Sequence, residues 1–169
     1  FDQPLFRWQR EAIVAWKDND GKGVIETVTG TGKTRVAIYT IRYMINKGHR
    51  SLILVPSVIL LEQWETAIHK ELGYQVTSLL GGRYGRRLDL GCPVTIAIVN
   101  SLAPIVPQLD GHFRFLVADE CHRYGAETFR KALLPTTRFR MGLTATFERN
   151  DSGVDQVLIP YFNKKVYTY

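Results

Sequence analysis

The sequence is poor in the residues that build disulfide frameworks and metal centres, and it has no long apolar segment. Its 169 residues include two cysteines, Cys92 and Cys121, and four histidines, none with the spacing of a zinc site. Two isolated thiols are typical of a reducing cytosol, and Cys121 is predicted to be buried. No apolar run reaches the length of about 18 residues that a membrane span needs, and no signal peptide opens the chain. We expect a cytoplasmic protein without a membrane span, associated with the nucleoid if prokaryotic.

Acidic side chains are outnumbered by basic ones. The chain has 22 lysines and arginines against 16 aspartates and glutamates, a formal net charge of +6. Such a balance suits a polyanion partner, although charge by itself does not identify one. Hydrophobic residues make up 45% of the chain, enough for the core of one domain over residues 1–169. The chain does not begin with methionine, so we expect it to be part of a longer polypeptide.

A glycine-rich segment, residues 29–34, separates an apolar run at Gly23–Val28 from a helical pattern. Strand, glycine loop and helix form the context of a phosphate-binding loop, because glycines and a helix N-terminus direct backbone N–H groups at phosphate oxygens. Lys33 can reach the β- and γ-phosphates, and the Thr34 hydroxyl can ligate Mg²⁺. Thr27 stands where the general pattern has glycine, so a loop that merely contains Gly-Lys-Thr is the alternative. The predicted nucleotide-binding residues are Thr29, Gly30, Thr31, Gly32, Lys33, Thr34 and Arg35.

Two acids, Asp119 and Glu120, follow the apolar run Phe113–Ala118, which reads as a buried strand. A carboxylate at the carboxyl end of a strand beside a phosphate loop lies where Mg²⁺ would bind, which predicts that Asp119 binds the ion either directly or through a water ligand. Glu120 is placed to polarise an attacking water. The alternatives are a strand that ends in two solvated acids, and a metallohydrolase centre built on these acids and His122.

Helical and strand-like segments alternate along the chain, which predicts an α/β fold with a mostly parallel sheet and helices on both faces. The predicted helices are Arg7–Lys17, Lys33–Lys47 and Val58–Leu72. The predicted strands are Gly23–Val28, Ser51–Val55, Gln75–Leu79, Val94–Val99, Arg114–Ala118, Arg138–Leu143 and Lys165–Tyr169. Because parallel sheets bind ligands at the carboxyl ends of their strands, the glycine loop and the two acids are expected to converge on one edge.

Several motifs resemble those of superfamily 2 helicases in their expected order. Asp119-Glu120-Cys121-His122 resembles motif II of the DExH branch, and Gly142-Leu143-Thr144-Ala145-Thr146 resembles motif III. Leu54-Val55-Pro56-Ser57 with Gln63-Trp64 resembles motif Ia, and Phe6–Ala12 resembles the adenine-binding Q motif. This superfamily has alanine, not glycine, at the position of Thr27, so its threonine is a mild departure. The segment 141–151 is most similar to the XPB-like and type III restriction subunit branch.

The resemblance implies the first RecA-like domain of an ATP-dependent helicase or translocase that uses ATP and Mg²⁺. It implies that Gln9 reads the adenine and that Arg7 stacks on it. It also implies that His122, Thr144 and Thr146 couple the nucleotide site to the polymer. A second RecA-like domain of the same polypeptide is expected to supply an arginine finger, so the present residues alone would hydrolyse ATP very slowly. A nuclease or another accessory domain is compatible with this branch.

A basic segment, Gly81–Arg87, contains Tyr84 and falls where the family has motif Ib. Arginines contact phosphates, glycines allow close backbone approach, and an aromatic ring can stack on a base. The predicted nucleic-acid contacts, here and at the motif Ia and Ic positions, are Pro56, Ser57, Gly82, Arg83, Arg86 and Ser101. DNA is favoured over RNA as the partner. The alternative is a solvated flexible loop at 81–87, with turns and helix caps at the other positions.

Four other functions are compatible with these residues. A nucleotide kinase also uses Gly-Lys-Thr but would need a lid and an acceptor site. A nucleotide-switched nucleic-acid-binding protein would use the same site without a motor, and a restriction-enzyme motor subunit would translocate without separating strands. The metallohydrolase would bind metal in the absence of nucleotide.

Overall fold

One mixed sheet with helices on both faces organises the chain, and the predicted α/β class is confirmed. The computed structural model describes residues 4–27, 32–73, 77–81, 86–125, 130–145 and 160–169. The strands are β1 (Lys22–Glu26), β2 (Ser51–Val55), β3 (Thr77–Leu80), β4 (Arg86–Arg87), β5 (Val94–Ile98), β6 (Phe115–Asp119), β7 (Phe139–Thr144) and β8 (Lys165–Thr168). The helices are α1 (Arg7–Asp18), α2 (Lys33–Asn46), α3 (Val58–Leu72), α4 (Val99–Leu102) and α5 (Val106–Leu109), with short 3₁₀ turns at Ala103–Ile105 and Cys121–Gly125.

The eight strands lie in the order β4-β3-β5-β2-β6-β7-β1-β8. All neighbouring pairs are parallel except β3 and β4, which are antiparallel. Strands β6, β7 and β1 are consecutive in the sheet, with Asp119 in register with Leu143 and Glu26 in register with Thr144. The segments that follow these three strands therefore start side by side at the carboxyl edge.

The central strands are buried on both faces, as their continuous apolar sequences predict. Along β2, Ile53 and Val55 pack into one core with α1, α2 and α3. The alternate residues, Leu52 and Leu54, pack into a second core on the other face with α4 and α5. This period of two is the pleat of the strand, and it gives the sheet a packed apolar layer on each face.

Some predicted boundaries are wrong, each for a local reason. The predicted strand Val94–Val99 ends at Ile98, because Val99 begins the short helix α4. Residues 81–87 were predicted to be a flexible loop, but Arg86 and Arg87 form β4 beside β3. Within the described part of the chain, no helix is both long and apolar enough to cross a membrane.

Candidate nucleotide site

A buried lysine bridges the two acids at the carboxyl end of β6. Lys33, the first residue of α2, places its Nζ 3.1 Å from Oδ1 of Asp119. The same Nζ lies 3.9 Å from Oε1 of Glu120. One ammonium between two carboxylates leaves these three groups with a net negative charge, and of the three only Glu120 is appreciably exposed. Such a site attracts a further cation, and its lysine can exchange one anionic partner for another.

Both carboxylate oxygens of Asp119 accept hydrogen bonds in addition to the lysine contact. The backbone N–H of Glu120 donates to Oδ1 at 2.9 Å. The indole Nε1 of Trp64, on α3, donates to Oδ2 at 2.8 Å, and both side chains are buried. The sequence indicated Trp64 only as part of motif Ia. The signal that was available is a tryptophan at an apolar position of a helix, whose N–H must find a partner when it is buried.

Glu120 is the more accessible of the two acids and has an unusual backbone. Its φ is 55°, in the left-handed region that residues other than glycine seldom adopt. Its side chain is 31% exposed, and its Oε2 lies 3.6 Å from Nε2 of His122. The chain therefore turns in a left-handed conformation directly after the strand, and the Glu120 carboxylate stays partly exposed, where water can reach it.

His122 joins the acid pair to the end of β7. Its Nδ1 and Oγ1 of Thr144 share a hydrogen bond of 2.8 Å, whose direction depends on the imidazole tautomer. The carbonyl of Thr144 in turn accepts a hydrogen bond from the N–H of Thr27, at 3.0 Å. The structure therefore brings together two of the three predicted coupling residues and connects them to the residues that lead into the glycine loop.

Gln9 lies against the phosphate loop. Its side chain is completely buried; Nε2 donates to the carbonyl of Gly32 at 2.9 Å, and Oε1 accepts from the N–H of Phe6 at 2.7 Å. Gly32 has a φ of 97°, and a Cβ there would lie 2.9 Å from the ring of Trp8. The first helix is thus fitted to the glycine loop by a close approach that only glycine allows.

Arg7 is exposed on the same helix, and its Nε donates to Oε1 of Glu11 at 2.9 Å. The hydroxyl of Tyr167 donates to Oε2 of the same glutamate at 2.9 Å. These two hydrogen bonds, the one from Tyr167 above all, lower the pKa of Glu11. Arg7 is therefore tied to the face of α1 that packs beside β8.

A cavity of about 480 Å³ adjoins the acid pair and continues between α2 and α3. Its lining includes Lys33, Thr34, Arg35, Trp64, Asp119 and Glu120. The donor set suits Mg²⁺, which binds through one or two carboxylates and a hydroxyl and completes its shell with phosphate and water oxygens. Across the described ranges, no three histidine, cysteine or acidic side chains are grouped so as to hold a metal ion by themselves.

The residues predicted to contact nucleic acid at motifs Ia and Ic lie at the same edge of the sheet, after β2 and its neighbour β5. Pro56 and Ser57 follow β2, and the Ser57 hydroxyl caps α3 by accepting from the N–H of Leu60 at 3.3 Å. Ser101 was predicted in a loop, which is wrong: it lies in α4, close against Gly81 at the end of β3.

Parts of the predicted site lie outside the described residues. These are Thr29, Gly30 and Thr31 of the phosphate loop, Thr146 of motif III, Gly82 and Arg83, and the side chain of Arg86. Cys121 is buried as predicted, and burial raises the pKa of its thiol strongly.

Comparison with known proteins places the chain in a family. The model of the type III restriction enzyme res subunit matches residues 2–149. The DNA 3'-5' translocase XPB2 of Sulfurisphaera tokodaii is 33% identical over 145 residues, which cover 85% of this chain and 31% of that protein. The chain therefore spans about a third of the length of this relative.

Solved structures show the same fold at low identity. The UvsW helicase of bacteriophage T4 has a TM-score of 0.78 at 14% identity, covering 98% of this chain and 60% of that one. The Hef helicase domain of Pyrococcus furiosus has a TM-score of 0.76 at 18% identity, covering 99% of this chain and 38% of that one. These likenesses confirm a RecA-like helicase fold. The match over residues 2–149 shows that the chain belongs to the type III restriction enzyme res subunit family, and its similarity to the XPB2 translocase is consistent with the XPB-like and restriction-subunit branch.

Proposed function

We propose that the chain is the ATP-binding part of a DNA helicase or translocase, which hydrolyses ATP with Mg²⁺ when joined to a second RecA-like domain. The observation that carries the proposal is the buried Lys33, held between Asp119 and Glu120 at the first turn of α2. A lysine in this position can transfer its contact from the carboxylates to the β- and γ-phosphates of a bound nucleotide.

Each residue of the candidate nucleotide site has a distinct role in this proposal. Backbone N–H groups at 29–34 would bind the phosphates, with Gln9 and Arg7 on the adenine side. Thr34 and Asp119 would hold Mg²⁺, which neutralises charge on the phosphates during transfer. Glu120 would orient the attacking water and take its proton, because its carboxylate is the accessible one. Arg35 would lie beside the phosphates, at the mouth of the cavity.

Coupling to nucleic acid would run through His122 and Thr144, which share a hydrogen bond between β6 and β7. Pro56, Ser57 and Ser101, with the basic segment at 82–86, would contact the polymer at the neighbouring strand ends. DNA is preferred because the relative in Sulfurisphaera is named as a DNA translocase. The second domain would supply an arginine finger, which is worth about 10³–10⁵ in rate in related phosphoryl-transfer sites. Residues 1–169 alone are therefore expected to bind nucleotide and to turn it over very slowly.

The test is ATP hydrolysis by the full-length protein that contains this chain. It is measured without polymer and with single-stranded DNA, double-stranded DNA or RNA, beside Glu120→Gln. We expect stimulation by DNA, and a fall of about 10²–10⁴ in the stimulated rate of the variant. Glu65→Gln is the matched control, since Glu65 is on α3 and is not among the residues that line the cavity.

The outcomes separate the alternatives. Hydrolysis that no polymer stimulates would favour a nucleotide switch, and hydrolysis that survives Glu120→Gln would contradict the assigned base. The match to a restriction res subunit favours a second candidate, a motor that moves on duplex DNA without opening it. If the protein displaces the third strand of a DNA triplex but does not separate the two strands of the duplex, it translocates on duplex DNA without unwinding it.

A further inference from the structure

Trp64 contacts the predicted metal ligand from a helix that does not belong to the phosphate loop. Its Nε1 donates to Oδ2 of Asp119 at 2.8 Å, and the indole is buried. The other oxygen of that carboxylate, Oδ1, is held by the N–H of Glu120 at 2.9 Å. The two donors act on opposite oxygens, so together they fix the rotation of the carboxylate plane.

The contact from Lys33 cannot hold the Asp119 carboxylate in place during the reaction. In the proposed function Lys33 moves to the phosphates, and its hydrogen bond to Oδ1 is then lost. The Trp64 and Glu120 N–H groups would remain, one from α3 and one from the backbone after β6. A carboxylate that must bind Mg²⁺ with near-ideal octahedral geometry needs such lasting support.

An indole is well suited to this position. It is a donor only, so it cannot ligate the metal or accept a hydrogen bond in competition with it. It is also neutral, so it orients Asp119 without cancelling the charge that attracts the cation. A lysine or arginine in the same place would weaken that attraction.

We propose that Trp64 is a positioning residue for Mg²⁺ binding, which it supports by holding Asp119 in the orientation that the ion requires. The inference rests on the proposed function, because it assumes that Asp119 is a ligand. It goes beyond that function in assigning a metal-dependent role to a residue of α3 that acts through Asp119.

The test compares Trp64→Phe with the unmodified chain in nucleotide binding. The affinity for a fluorescent ATP analogue is measured by anisotropy over a range of Mg²⁺ concentrations and again in EDTA. We expect the Mg²⁺ concentration at half-saturation to rise about tenfold or more, which is the usual effect of losing a group that orients a metal ligand. The affinity in EDTA should stay within about twofold, since the phosphate loop is intact.

Trp16→Phe is the matched control. Trp16 is also buried, and its Nε1 donates to the carbonyl of Arg140 at 2.8 Å, far from the acid pair. It should lower stability without changing the dependence on Mg²⁺. If Trp64→Phe does not fold, a tryptophan isostere with sulfur in place of the indole N–H keeps the shape and removes only the donor.

Each result has one meaning. An unchanged Mg²⁺ dependence in Trp64→Phe or in the isostere would overturn the inference, and so would an equal loss of affinity in Mg²⁺ and in EDTA. Nucleotide binding by the unmodified chain that does not respond to Mg²⁺ would instead contradict the proposed function.

Discussion

The two edges of the sheet carry ion pairs that differ far more in burial than in distance. At the carboxyl edge, Lys33 and Asp119 are 3.1 Å apart, and their side chains are 6% and 4% exposed. At the amino edge, Arg138 and Asp20 are 2.7 Å apart, and their side chains are 37% and 78% exposed. The shorter pair is the weaker one energetically, because water and salt screen exposed charges.

This difference in burial distinguishes the ion pair of the candidate nucleotide site from an ordinary ion pair on the protein surface. Removing one partner of a buried pair costs about 3–5 kcal/mol, whereas an exposed pair contributes about 0–1 kcal/mol. Replacing a whole buried pair by apolar side chains is often neutral, so stability alone does not account for charges at the carboxyl edge. They are better explained by a ligand that needs them.

The largest effect is expected from Lys33→Ala. It leaves the carboxylates of Asp119 and Glu120 close together without their shared cation. The free energy of unfolding should fall by about 3 kcal/mol or more, and nucleotide binding should be lost. Denaturant unfolding and anisotropy measure the two quantities. Lys47→Ala, at the C-terminal end of the same helix, should change the unfolding free energy and the nucleotide affinity only slightly. Equal effects of the two substitutions would mean that the lysine at the carboxyl edge has no special role.

A glycine at each edge gives the next comparison. Gly32 and Gly48 both have positive φ, 97° and 77°, so alanine at either position costs about 1–2 kcal/mol in backbone strain. Only at Gly32 would the new Cβ also meet a ring, 2.9 Å away, while nothing lies within 4 Å at Gly48. Gly32→Ala should therefore lower the thermal midpoint more than Gly48→Ala and should also weaken nucleotide binding. Equal shifts would mean that Trp8 moves aside freely.

The sequence was enough to place Asp119 and Thr144 at the carboxyl edge, because that placement depends only on where each strand ends. Apolar runs identify strands, and in a parallel sheet the residue after each run must lie at one edge. That rule alone brings Asp119 to the end of β6 and Thr144 to the end of β7. The register between strands was not needed, since all the relevant strands point the same way.

What the sequence could not predict depends on how helices pack. The bonds from Trp64 to Asp119 and from Gln9 to Gly32 join residues on separate elements, and no periodicity encodes them. The strand Arg86–Arg87 was missed because two charged residues carry no strand pattern; its place comes from pairing with β3. The helix Val99–Leu102 is too short to show a helical period.

Two threonine substitutions, one at the carboxyl edge and one away from it, test the coupling between the nucleotide site and the polymer. Thr144→Val removes the Oγ1 that shares a hydrogen bond with His122. We expect a loss of about 1 kcal/mol in unfolding free energy, and a weaker stimulation of ATP hydrolysis by DNA in the full-length protein. Thr95→Val is matched, because Thr95 is equally buried and shares a 2.8 Å hydrogen bond with Ser78 away from the acids. It should cost similar stability and leave stimulation intact; loss of stimulation in both variants would argue against a specific coupling role.

The smallest effect is expected at the amino edge, from Asp20→Asn. Asp20 has a φ of 63°, which asparagine tolerates, so the substitution removes a charge with little change in backbone strain. The carbonyl of Asp20 still accepts from Arg138 at 2.9 Å. The unfolding free energy should fall by less than about 1 kcal/mol at low salt, and the difference should vanish near 1 M salt. Nucleotide affinity should not change. A loss comparable to that of Lys33→Ala, or one that high salt does not reduce, would show that exposure does not govern the strength of these pairs.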